Sequence, residues 1–257
     1  MSRYHSKRLE QPERYSCLAQ AILDTHINYG ARCRNVVDLG CSCGVLLKPM
    51  EHVTDWRLGI DHSTNAQKLW CCDDSAFMLW DFDKEGAASD FGTTVDKFDT
   101  IVSFECAEHL EAPDTLFETT SNLASDDALF FFSGAIPGQR GKGHISCKPI
   151  HAWRDLIEFF GWAYDHHLTA QFFRNIGWHS HHFGKEDAVP SFYDNAMVFR
   201  RVPTLNQKYE WYNEGDIPAF WASKGYHRHP NCPHVVGPDD AYWGIGYHCE
   251  CGYERPA

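Results

Sequence analysis

The stretch Asn35-Val-Val-Asp-Leu-Gly-Cys-Ser-Cys-Gly44 constrains the fold more than any other part of this chain. A short apolar run ends in an acid and then in a turn carrying Gly40 and Gly44, and a second run, Leu58-Gly-Ile-Asp61, ends in another acid. Glycines at the carboxyl end of a strand let a ligand approach the backbone closely. An acid closing the next strand is placed to accept hydrogen bonds from the two hydroxyls of a ribose. The pair therefore predicts two neighbouring parallel strands and an adenosine-containing cofactor.

The dinucleotide fingerprint G-x-G-x-x-G fails, because Ser42 and Val45 occupy its second and third glycine positions. What stands instead is D-x-G-x-S-x-G, from Asp38 through Gly40 and Ser42 to Gly44. Two further segments follow in order: Leu79-Trp-Asp-Phe-Asp83, and Phe98-Asp-Thr-Ile-Val-Ser-Phe-Glu-Cys-Ala-Glu-His-Leu110. Together these motifs resemble the class I S-adenosylmethionine-dependent methyltransferases, over most of the chain from Tyr15 to Arg201. Ser42 departs from the middle glycine of that family, although a small residue is kept. The resemblance implies that Asp38 lies near the methionine amino group, with Gly40, Ser42 and Gly44 letting the cofactor pass. It implies Asp61 on the ribose and Asp81, with its neighbour Phe82, at the adenine, Asp83 being the alternative acid.

Strands are expected at 36–39, 57–60, 76–80, 98–104 and 128–133, and helices at 44–52, 64–70, after Pro113 and at 150–160. An amphipathic helix built on Tyr15, Leu18, Ala19, Ile22, Leu23 and Ile27 precedes them. Alternating strands and helices mean a Rossmann-like, doubly wound α/β domain with a mainly parallel sheet. The resemblance adds a terminal antiparallel hairpin, for which 164–172 and 196–201 are the candidates. Residues 174–195 lack clear periodicity and read as a long loop. The domain is thus expected over residues 1–202, and 203–257 form an irregular appendage rich in His, Cys and aromatic residues.

A formal charge of −12 over 257 residues disfavours a nucleic-acid partner, which needs clustered Lys and Arg. The first residues contain no apolar signal-peptide core, and no apolar run is long enough to span a bilayer. Eleven scattered cysteines then read as reduced thiols, and the cytoplasm is the expected location. The expected activity is methyl transfer to an oxygen, ahead of nitrogen, of a small-molecule acceptor. Its competitors are a non-catalytic cofactor-binding or scaffold protein on the same fold, and an RNA or protein methyltransferase. Glu105, ending the fourth strand, is a candidate catalytic residue that holds the methionyl part or touches the acceptor, or else is a solvated carboxylate. His144, on the glycine-rich rim Ala135-Ile-Pro-Gly-Gln-Arg-Gly-Lys-Gly-His-Ile-Ser146, is the candidate general base, or else bonds its own loop. Cys106 lacks the Pro-Cys context of a catalytic cysteine and reads as a small buried residue, and Glu108 and His109 read as structural.

In the appendage, Cys232, His234, Cys249 and Cys251 are candidate ligands for a structural zinc. One-residue gaps within each pair are tighter than in zinc ribbons, and free thiols packed on Trp243 and Tyr247 are the competing reading. Elemental analysis of untagged protein beside its Cys249→Ser/Cys251→Ser variant separates the two. A structural site loses about one equivalent of zinc in the variant, whereas an unchanged zinc content leaves free thiols.

Overall fold

The computed structural model describes residues 8–31, 33–72, 75–88, 97–182, 195–202, 227–228 and 235–236. Its strands are β1 (Asn35–Leu39), β2 (Trp56–Asp61), β3 (Ala76–Leu79), β4 (Phe98–Phe104), β5 (Ala124–Ser133), β6 (Trp162–Tyr164) and β7 (Met197–Arg201). They form one sheet in the order β3-β2-β1-β4-β5-β7-β6. The first five pair in parallel, and β7 runs antiparallel to both β5 and β6. The order reverses between β1 and β4, so the turn after Leu39 opens at the crevice where open α/β sheets bind ligands. The Rossmann-like sheet and its antiparallel end are as the sequence implies.

The helices are α1 (Pro12–Tyr29), α2 (Thr64–Lys68), α3 (Phe82–Glu85), α4 (Pro113–Leu123), α5 (Ile150–Phe159) and α6 (His166–His182). Successive strand residues point to opposite faces, and the sequence supplies apolar side chains for both. Val37, Ile101, Phe130, Phe132 and Phe199 pack with Phe117 of α4 and Trp153 of α5. Val36, Val102, Leu129, Phe131 and Val198 pack on the other face with Leu18 and Ile22 of α1 and Phe172 of α6. Continuous apolar strands are what a sheet covered on both sides requires. Among the described residues no helix is long and apolar enough to cross a membrane.

Three segments differ from expectation. Residues 44–52 form turns and one 3-10 helix, Lys48–Met50, rather than an α-helix. Gly44 is left-handed at φ +83° and Pro49 has no N–H for the helical ladder, so the segment closes on three-residue bonds such as Leu47 N–H to the Gly44 carbonyl. Residues 166–172 are helical rather than extended. The Asp165 carboxylate accepts the N–H groups of His167 and Leu168, both at 2.9 Å, and this cap starts α6. Leu168, Phe172 and Ile176 then share one buried stripe, and Trp178-His-Ser-His-His182 ends that helix instead of lying in a loop. Ile27, expected in the apolar stripe of α1, is exposed. Residues 183–194 lie outside the described residues, as does most of 203–257, including Cys232, His234, Cys249 and Cys251. Within that region His227–Arg228 and Val235–Val236 pair antiparallel.

Phe117 is fully buried, with the rings of Phe130, Phe132, Trp153 and Phe160 around it. Phe117→Ala is expected to destabilise the domain by about 3–5 kcal/mol. Urea unfolding checks this as a lowered midpoint at unchanged slope.

Candidate active site

The turn after β1 is built on left-handed backbone. Gly40 stands at φ +83°, and the N–H groups of Gly40 and Cys41 both donate to the Ile60 carbonyl, at 2.8 and 3.1 Å. A Cβ on Gly40 would meet the Cys106 Sγ at 2.5 Å, so the turn presses directly on the segment leaving β4. Ser42 adopts φ +53°, keeping the left-handed turn that a glycine takes at no steric cost. The Ser42 N–H donates to Asp61 Oδ2 at 2.9 Å, and the Ser63 N–H to Asp61 Oδ1 at 2.8 Å. A carboxylate has about four acceptor positions, so this leaves Asp61 capacity for hydroxyl donors.

Asp38, at the end of β1, is 5% exposed and makes no side-chain hydrogen bond among the described residues. Burial pushes its carboxyl up to about 7; the nearby Arg8 guanidinium opposes this, and Asp61 adds to it. A buried acid without a hydrogen-bond partner is poised to receive a cation. Asp81 follows β3, accepts the Asp83 N–H at 3.2 Å as the cap of α3, and pairs with Lys84 at 2.6 Å. The Lys84 hydrogen bond holds its carboxyl below the usual range. Asp83 instead accepts the N–H groups of Glu111 and Ala112, at 3.0 and 3.1 Å, and ties down the start of α4. Phe82 is buried in the core beneath these loops.

Past β4 lies a second polar group. Glu105 has φ +53°, and its carboxylate accepts from Ser133 Oγ at 3.0 Å and from Gln139 Nε2 at 2.9 Å. Burial raises its carboxyl. Ala107–His109 form one 3-10 turn in which Glu108 is 0% exposed, and burial together with the Glu105 charge pushes its carboxyl up to about 8. The glycine-rich rim is folded back on this turn. Ile145 and Ser146 donate N–H groups to the Glu108 carbonyl at 2.9 and 3.0 Å, and Ser146 Oγ donates to the Ala107 carbonyl at 3.0 Å. His109 Nδ1 donates to the Gly143 carbonyl at 2.9 Å and His144 Nδ1 to the Gln139 carbonyl at 3.2 Å. A carbonyl only accepts, so each imidazole carries its lone pair on Nε2. The two rings meet edge-to-face with centroids 5.0 Å apart.

His144 and Glu105 are therefore brought to one corner, and Cys106 is the wedge under Gly40. Burial pushes its thiol well above the ordinary value, which suits that packing role. Sequence reasoning missed Glu108 and His109 as members of the corner, and it missed Arg8, whose guanidinium lies close enough to favour the charged forms of Asp38, Glu105 and Glu108. The spacing of Glu105 and Glu108 across a tight turn was the available signal for the acids; nothing local marks Arg8.

Residues 10–174 match the sequence profile of a methyltransferase domain. The chain belongs to that family. It is a class I S-adenosylmethionine-dependent methyltransferase, with the seven-stranded sheet of that class. The plantazolicin methyltransferase BpumL in complex with SAH superposes with a TM-score of 0.56 at 13% identity, covering 78% of this chain and 88% of that one. BamL, the plantazolicin methyltransferase solved with a triazolic desmethylPZN analog and SAH, gives 0.54 at 14% identity, covering 77% and 88%. At such identities the likeness is one of fold. A sequence comparison with curated proteins gives no match.

The raised carboxyl of Asp38 gives a pH test of the cofactor end. Below about pH 7 it is protonated in the free methyltransferase, so an ammonium arriving there must displace the proton. Affinity for S-adenosylhomocysteine is then expected to rise roughly up to tenfold per pH unit below 7 and to level off above it. Asp38→Asn should bind more weakly with a flat profile. Calorimetric titration from pH 5.5 to 8 checks both.

Proposed function

We propose that this methyltransferase transfers the sulfonium methyl group of S-adenosylmethionine to an oxygen of a small-molecule acceptor. The observation that carries this reading is the contact between the two halves of the site. Gly40 of the cofactor turn packs on Cys106, next to Glu105 and on the segment leading to Glu108 and His109. The residues present fit the cofactor. Asp38 is buried without a hydrogen-bond partner among the described residues and suits the methionine ammonium, and the left-handed backbone at Gly40, Ser42 and Gly44 shapes the turn beside it. Asp61 has acceptor capacity left for the ribose, and Asp81, at the end of β3 above Phe82, faces the adenine in this assignment.

When bound, the cofactor supplies a methyl group on a positively charged sulfur that leaves as a neutral thioether. The chain must align the acceptor with that methyl and see its hydroxyl proton removed. Glu105, fixed by Ser133 and Gln139, is the positioning acid. Proton removal depends on His144, whose Nε2 lies 3.8 Å from Glu108 Oε1. The net charge of −12 supports a small acceptor over a polynucleotide.

A panel of phenols, alcohols and amines, assayed for S-adenosylhomocysteine release, tests the acceptor class. Once an acceptor is found, His144→Ala is expected to lower turnover by about 10²–10⁴-fold while leaving cofactor affinity unchanged. Unchanged turnover would assign His144 to holding its loop.

A further inference from the structure

Among the described residues, Glu108 is a wholly buried carboxylate with both oxygens left without a hydrogen bond. Buried polar groups are rarely left so, and an orphaned one points to a missing partner. The nearest acid, Glu105, is itself fixed by Ser133 and Gln139 and repels it. The backbone N–H groups of Glu108 and Ala135 and the Arg8 guanidinium favour its charge without meeting it in a hydrogen bond, and a pair of imidazoles faces it. One carboxylate oxygen of Glu108 and one nitrogen each from His109 and His144 all lie within 4.8 Å of one another. His144 Nε2 stands 3.8 Å from Glu108 Oε1, too far for a hydrogen bond. Ligands roughly 2.1 Å from a shared ion are separated by about 3–3.6 Å, so a small closure brings the three into reach.

The tautomers agree. Both Nδ1 atoms donate to backbone carbonyls, of Gly143 and Gln139, which turns the lone pair of each ring to Nε2. An outer carbonyl that fixes ring orientation and tautomer is the usual companion of a metal-bound histidine. Gly141 lets the His144 ring lie against the backbone, since a Cβ there would come within 2.0 Å of Nε2.

We propose that Glu108, His109 and His144 together bind one divalent first-row transition-metal ion beside the cofactor crevice. Two imidazoles and a carboxylate suit Mn²⁺ through Zn²⁺ better than Mg²⁺ or Ca²⁺, which take oxygen ligands. Three protein ligands leave coordination positions open. Where the ion meets the acceptor, the inference rests on the oxygen-methylation reading: an ion-bound hydroxyl loses its proton more readily, and His144 then serves proton removal as a ligand.

The test uses untagged full-length protein stripped with EDTA and titrated with Mn²⁺, a hard ion that the cysteines of the C-terminal region hold poorly. Electron paramagnetic resonance is expected to show one bound Mn²⁺ per chain, and pulsed spectra to show coupling to imidazole nitrogen. Glu108→Gln, which removes only the buried charge, and His109→Gln should each weaken binding by roughly tenfold or more. No bound Mn²⁺ at millimolar concentration overturns the inference. So does Mn²⁺ bound without nitrogen coupling in wild-type protein, a result that needs no variant to fold. Calorimetry with S-adenosylhomocysteine on the same samples separates the two readings. Cofactor binding without Mn²⁺ removes the ion alone, and Mn²⁺ binding without cofactor removes the methyl-transfer reading alone.

Discussion

The Asp61 carboxylate accepts the Ser42 N–H with one oxygen and the Ser63 N–H with the other, and the shape of the whole crevice follows from that bracket. Ser42 is left-handed, a conformation costing a non-glycine residue on the order of 1 kcal/mol. The hydrogen bond from the Ser42 N–H to Asp61 Oδ2 offsets a cost of that size. The bracket exists because β1 and β2 pair in parallel with Leu39 opposite Ile60, so that Asp61 emerges beside the turn it must hold. The Ile60 carbonyl completes it by accepting from Gly40 and Cys41.

From this turn outward the molecule divides along the sheet. One side holds Asp38, Asp61 and Asp81 at the ends of β1, β2 and β3, each held differently: without a hydrogen bond among the described residues, shared with backbone, and paired with Lys84. The other side holds Glu105, Glu108, His109 and His144, gathered by a rim whose backbone folds onto a single turn. The two helices on the far face bind the early and late parts of the chain to each other. His179 Nε2 meets Asp24 at 2.8 Å, and Asn175 reaches Thr25 at 3.1 Å, so α6 is seated on α1.

The sheet was legible because its strands are short apolar runs flanked by turn residues, and the cofactor acids because each closes such a run. Helix 44–52 was misread because the apolar spacing of Val45, Leu46 and Leu47 outweighed Pro49 and the left-handed Gly44. The stretch 164–172 was misread because the resemblance called for a hairpin strand there, although Asp165 and the spacing of Leu168, Phe172 and Ile176 spelled a capped helix. The spacing of Glu105 and Glu108 hinted at the acids of the corner, but the meeting of Glu108 with the two histidines was beyond sequence reading. It depends on the carbonyls of Gln139 and Gly143 meeting imidazole nitrogens, and no residue pattern encodes where a loop carbonyl points.

The close approach of Gly40 to Cys106 makes the two positions answer to each other although they belong to different motifs. A side chain smaller than cysteine at 106 only adds room beneath the turn. A wider one drives the turn off β4 and carries Ser42 away from Asp61. The turn thus tolerates shrinkage on the β4 side but not growth there. The rim meets the same β4 segment through hydrogen bonds to Glu105, Ala107 and Glu108, not through Gly40, so its side chains vary without that constraint.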